Sequence, residues 1–297
     1  MKRRTLIAVC GSIVVAGCSE REGTGDDAEP PQTEKDRTSS TQNTTAESTQ
    51  TPSKETPQPA QFELVEYGFP ERVEIGESFK PSITVRNIGE TSGEYESSLL
   101  MAAIGGDEWE RLGDWAWETI APSEESTIEA NESWSFDYLY ELKFRLEGFD
   151  ETTRLDSVTR QLSIGEQYTT PWDTRFTVDN IGLRDEYRYE FNGETRFEQA
   201  PEGKQWAFAE IQAENMAGEI AQLPTKFDML LIADNQQYEF KIILDKDGEY
   251  EGGDVQPNVV EKGWLAFEIP EDVTDDSVAF IYNPTTSEGK IAVRWEK

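Results

Sequence analysis

The chain has 297 residues, 60 of them Asp or Glu against 27 Lys or Arg, giving a formal charge of −33, and it contains no histidine. No basic patch interrupts that charge from Gln61 onward, so nucleic acid and anionic surfaces are not the partners expected. Without histidine the usual general base, the usual zinc ligand and the Ser-His-Asp triad are all missing, which removes most hydrolase designs.

The first elements form an address. Lys2-Arg3-Arg4 is a basic stretch, Thr5 to Ala16 an apolar run, and Gly17-Cys18 a small-residue cleavage point. A run of about a dozen apolar residues is too short to cross a bilayer, which takes ~20. Val15-Ala16-Gly17-Cys18 resembles the lipobox of prokaryotic lipoproteins, which implies removal of residues 1–17 and a lipid on Cys18. Arg3 and Arg4 resemble the pair of a twin-arginine export signal. Cys10 falls in the segment to be removed, so lipidation accounts for the lone remaining cysteine.

Residues 18–60 are Thr, Ser, Glu, Gln and Pro with almost no apolar residue, a composition that cannot offset chain entropy and predicts a disordered tether. At about 40 residues a flexible coil spans on the order of 35 Å. Nine acidic and seven basic residues precede Gln61, which leaves a formal charge of −31 on the rest. With aromatics at 11% of the whole chain, that remainder is no acidic tail. Its charge pattern resembles that of proteins from salt-loving archaea, whose acidic surfaces suit saline solvent.

From Gln61 onward the chain reads as strands and turns. Apolar or aromatic residues occupy alternate positions from Trp134 to Leu146, the period of a half-buried strand, with a bend expected near its middle because the run is long. Comparable runs are Phe79 to Val85, Leu99 to Ile104, Trp206 to Ala213, Phe227 to Ile232, Tyr238 to Leu244, Trp264 to Ile269, Val278 to Tyr282 and Ile291 to Trp295. Turn signals such as Gly105-Gly106 and Asp247-Gly248 separate them. The fold class expected is all-β, with two immunoglobulin-like antiparallel sandwiches over 61–157 and 158–297. An internal echo agrees: Val85-Arg86-Asn87-Ile88-Gly89 matches Val178-Asp179-Asn180-Ile181-Gly182, each with an Asn that closes a strand.

Gly203-Lys204-Gln205-Trp206, Phe208-Ala209-Glu210-Ile211, Asn215, Leu223-Pro224, Phe227 to Leu230 and Gly263 to Asp272 resemble the telokin-like, immunoglobulin-like extracellular family of unknown function found in prokaryotic lipoproteins. The resemblance runs from about Leu162 to Lys297 and implies a fold and a location more than an activity. The first domain, through Val85 to Gly89 and Thr119-Ile120-Ala121-Pro122, is more loosely similar to adhesion modules of archaeal and bacterial surface proteins.

Four patterns invite chemistry. Asp245, Asp247, Glu249 and Asp254 have roughly the spacing of a calcium loop but lack its third alternating ligand and closing glutamate, so a hairpin turn is the expectation, with a weak calcium site as the alternative. Ser287-Glu288-Gly289-Lys290 has a penicillin-binding spacing, yet it stands in a turn without partner motifs. Trp109, Trp115, Trp117, Trp134, Phe136 and Tyr138 either fill a core or form a stacking platform for sugar rings, and the core is the expectation. Asn43 and Asn131 begin N-glycosylation patterns. No metal or cofactor is called for. The composite expectation is a non-enzymatic surface lipoprotein, membrane-bound through its lipid, that binds or scaffolds an envelope protein or glycan. The alternative is a solute- or glycan-capturing lipoprotein serving a transporter.

Overall fold

The computed structural model describes residues 4–5, 56–191, 193–243 and 248–297. Apart from the two-residue strand Trp134–Ser135, the strands from Phe62 to Val158 are β1 (Phe62–Gly68), β2 (Arg72–Glu74), β3 (Ser82–Asn87), β4 (Gly93–Ala103), β5 (Glu110–Ile120), β6 (Glu125–Glu129), β7 (Glu141–Leu146) and β8 (Thr153–Val158). They make a five-stranded sheet in the order β2-β8-β7-β4-β5 and a three-stranded sheet in the order β1-β3-β6. Alternation builds the core between them. Leu142, Phe144 and Leu146 of β7 point inward with Ile83 and Val85 of β3, Leu99 of β4 and Leu155 of β8, all buried.

The remaining strands are β9 (Arg160–Ser163), β10 (Gln167–Thr169), β11 (Thr174–Arg184), β12 (Glu186–Phe191), β13 (Glu194–Gln199), β14 (Lys204–Asn215), β15 (Ala221–Leu223), β16 (Met229–Ala233), β17 (Gln236–Tyr238), β18 (Gly253–Val255), β19 (Val260–Pro270), β20 (Val278–Tyr282) and β21 (Val293–Glu296). Their main sheets run β9-β21-β20-β16-β17 and β10-β11-β14-β19. Phe176 sits at the centre, with the rings of Tyr250, Phe280, Tyr282 and Trp295 at 5.2 to 6.3 Å. Outside this core, Tyr187 of the β12-β13 hairpin closes over Trp206 and Phe208 as a smaller satellite cluster. The all-β expectation holds. Among the described residues no helix is long and apolar enough to cross a membrane.

Two expected strands are divided in the structure. Trp134 and Phe136 pack into the first core and Tyr138 into the second, and regular pairing resumes only at Glu141. The alternation survives in residue type while the backbone changes partner, because residues 137–140 lie between the two sandwiches: the Leu139 N–H donates to the Lys290 carbonyl at 2.8 Å. Tyr238 likewise pairs with Leu231 in one sheet while Phe240 bridges Phe267 in the other, so that run crosses the sandwich. Leu244 lies outside the described residues.

The junction between the sandwiches is tightly made. One residue, Thr159, separates β8 from β9. Tyr138 donates its hydroxyl to Glu288 at 2.6 Å, and Arg160 pairs with Glu74 at 3.1 Å. A Cβ at Gly289 would stand 2.8 Å from the Tyr138 Cβ, so glycine is required there by close approach.

The internal echo needs correction. Asn87 is buried at the end of β3; its Nδ2 donates to the carbonyls of Thr91 and Ile120, both at 2.9 Å, and its Oδ1 accepts from Gly89 N–H at 2.9 Å. Asn180 is exposed beside a bulge in the middle of β11. The true counterpart is Asn215, buried at the end of β14. It donates to the carbonyls of Glu219 (2.8 Å) and Val255 (2.9 Å), and it accepts from Ala217 N–H at 2.8 Å.

Candidate functional site

The first sandwich carries an open cleft of about 920 Å³ where the end of β4, the start of β7 and the connection between β4 and β5 meet, next to the junction. Its wall is the connection between β4 and β5. The Gly106 N–H donates to the Ala103 carbonyl at 3.0 Å, closing a tight turn in which Gly105 takes φ 81°. Lys143, on the outward face of β7, donates to the Gly106 carbonyl at 2.7 Å and holds the turn against the sheet. The same ammonium lies 5.0 Å from the centre of the Trp109 ring, and the Arg145 guanidinium lies 4.3 Å from it. Two cations thus fix the indole that forms one side of the cleft.

Apolar groups from Ile104, Leu139 and Tyr140 line the cleft, and Asp107, Glu108 and Glu110 stand exposed around it. Among the described residues no ion pair reaches those three carboxylates. Glu141, the fourth acid at the rim, lies 3.6 Å from Arg154. Arg111, the first cation after the loop, is turned to the Ser98 hydroxyl at 2.7 Å. The arrangement offers an apolar floor, an aromatic wall and an acidic rim.

Of the six aromatic residues expected to fill a core, with a sugar platform as the alternative, Trp109 lines this cleft. Trp134 packs its ring on Phe69, Phe79 and Phe144, and Phe136 and Tyr138 are buried. The backbones of Trp115 and Trp117 belong to β5. Sequence reading missed Ile104, Leu139, Tyr140, Lys143 and Arg145 as neighbours of Trp109. The available signal was the charge alternation Glu141-x-Lys143-x-Arg145 on a strand whose intervening residues are all apolar.

Of the acidic loop, Glu249 and Asp254 fall within the described residues. Glu249 accepts from Lys226 Nζ at 2.8 Å, and Glu251 accepts from the same ammonium at 2.9 Å. The Lys226 and Glu249 side chains are only 8% and 11% exposed. Burial pulls the Lys226 pKa down, but the two carboxylates more than offset this and the net shift is upward. Asp254 is exposed in β18, which pairs with β15, and Asp245 and Asp247 lie outside the described residues. Among the described residues no group of three or more Cys, Asp or Glu could hold a metal ion. Ser287 and Lys290 stand in a turn that Thr285 and Lys290 close by pairing. Asn131 is exposed in a bend after β6. Arg3, Cys18 and Asn43 lie outside the described residues, and Arg4-Thr5 runs parallel to Trp134-Ser135.

Residues 163–291 match a family model described as a domain of unknown function, DUF4352. Three solved structures are similar to the chain. The yjhA protein of Bacillus subtilis is 19% identical, with 45% of this chain and 99% of that one covered and a TM-score of 0.34. An uncharacterised β-sandwich protein of Clostridium difficile 630 is 13% identical, with 46% and 94% covered and a TM-score of 0.32. A conserved hypothetical protein of Bacillus anthracis is 14% identical, with 44% and 88% covered and a TM-score of 0.32. Comparison with curated proteins gives no match.

Proposed function

We propose that this chain is a non-enzymatic binding or scaffolding module of the outer cell surface, carried on a lipid at Cys18. The open cleft beside Trp109 is the observation that carries the binding part of the reading. It is large enough for a ligand group and lined for contact. Its charged members are carboxylates, with no histidine in the chain to act as base, so its chemistry suits binding better than bond-making.

The anchoring part rests on residues 1–60. Export by the arginine pair, cleavage before Cys18 and attachment of a lipid would leave a polar tether ahead of the first strand. The close junction between the sandwiches would then present the cleft as part of one body. Fractionation of cells producing Cys18→Ser tests the anchor: the variant should leave the membrane pellet for the soluble or secreted fraction. A variant that pellets as strongly as the parent would refute it.

A further inference from the structure

The cleft beside Trp109 makes two demands on an occupant, and together they select one. The first comes from its floor. Ile104 is 38% exposed and Leu139 is half-buried beside it, so an aliphatic group laid there gains about 25 cal/mol for each Å² taken from water.

The second demand comes from the rim. Asp107 and Glu108 are exposed on one short connection and Glu110 at the start of the strand that follows it, and the nearby cations are engaged elsewhere. Lys143 is held by the Gly106 carbonyl and the indole, Arg145 by the indole, and Arg111 by Ser98. An occupant seated on the floor covers part of that rim, and a carboxylate taken from water needs a counter-charge. A neutral sugar can offer hydroxyl donors to the carboxylates but brings neither a counter-charge nor an aliphatic stem for the floor, and an anion is repelled.

A lysine or arginine side chain satisfies both demands, because its aliphatic stem can lie on the floor while its head reaches the carboxylates. The backbone of such a partner also has somewhere to go. Glu110 opens β5, the outermost strand of its sheet, whose outer edge pairs with no strand among the described residues and can take an added extended strand. We propose that this cleft docks an extended basic segment of a partner protein, one that places a lysine or arginine against Ile104 and Leu139 with its charge at Glu108 and Glu110. The proposal rests on the reading of the chain as a binding module and names the chemistry of its partner.

The test uses the full chain in detergent at one fixed ionic strength, followed by calorimetry. The probes are a capped peptide with two lysines flanking an isoleucine, the same peptide with glutamines for lysines, and a neutral glucose oligomer. The lysine peptide should bind, and the glutamine peptide should bind at least tenfold more weakly. Joint replacement Glu108→Gln and Glu110→Gln should weaken the lysine peptide about tenfold, or ~1.4 kcal/mol. Glu271→Gln with Asp272→Asn, an exposed pair in the second sandwich, should leave affinity unchanged. Near-ultraviolet circular dichroism should show every variant folded.

Equal binding of the two peptides, preference for the glucose oligomer, equal loss in the remote pair, or no binding would each overturn the proposal. Surface exposure of the chain is read separately by protease access to intact cells. Failure of the ligand assignment is therefore distinguishable from failure of the surface reading.

Discussion

Replacing Asn215 should destabilise the second sandwich far more than any change at Asn180, although sequence alone pairs Asn180 with Asn87. Asn215 is fully buried and makes three hydrogen bonds that tie the loop after β14 to itself and to β18. Alanine would leave two carbonyls and one N–H without partners, each costing about 1–3 kcal/mol if it stays dry. Partial access of water lowers the sum, so a loss of about 2–4 kcal/mol is expected, a large share of a domain's 5–15 kcal/mol. Asn215→Asp keeps the shape but turns a carboxylate oxygen toward the Glu219 and Val255 carbonyls, and should cost at least as much. Asn87→Ala should behave like Asn215→Ala in the first sandwich, whereas the exposed Asn180→Ala should stay within about 0.5 kcal/mol of the parent. Denaturant unfolding in molar potassium chloride measures all four. If Asn180→Ala costs as much as Asn215→Ala, or Asn215→Asp is neutral, the assignment of the buried pair is wrong.

Lys226→Met strands Glu249 in a buried position and should cost about 3–5 kcal/mol, while the double change with Glu249→Leu recovers most of that; equal losses in a thermal melt would contradict an ion pair there. Burial first, then nearby negative charge, raises the Tyr138, Tyr168, Tyr250 and Tyr282 hydroxyls above the ordinary 10.0. A raised folded-state value means stability is intact below pH 10 and is lost as pH climbs beyond it. Absorbance titration should therefore show these phenols ionising together with unfolding, and independent ionisation in a folded protein would refute their burial. The charge of −31 beyond the tether predicts salt dependence, since the Debye length is ~30 Å at 0.01 M and ~3 Å at 1 M. The chain should melt markedly lower in dilute buffer than in molar potassium chloride, and equal melting temperatures would contradict this account of the acidic surface.

What the sequence conveyed was mainly the period of two. Alternation located β14, β19 and β20 closely, because each pairs along its whole length within one sheet. It misled wherever a run changed partners. The Trp134 to Leu146 pattern continues through a stretch that leaves one core for another, and periodicity records which residues are buried without recording in which core. The Asn echo failed for a related reason. Asn-Ile-Gly looks alike at positions 87 and 180, yet only burial and a carbonyl from a distant strand make the asparagine structural, and those belong to tertiary structure. Trp109 was visible as an aromatic, but its setting was not: the cations that fix it come from β7, more than thirty residues later, and the floor joins Ile104, just after β4, to Leu139 at the junction.

The most direct measurement of the central claim is protease treatment of intact cells producing the full chain, followed by mass spectrometry of both fractions. Cleavage should fall within residues 18–60, releasing a folded fragment that starts near Gln61 and leaving a lipid-modified peptide that begins at Cys18 in the membrane. A chain that stays intact until the cells are broken, or an unmodified Cys18 still preceded by Gly17, would contradict it.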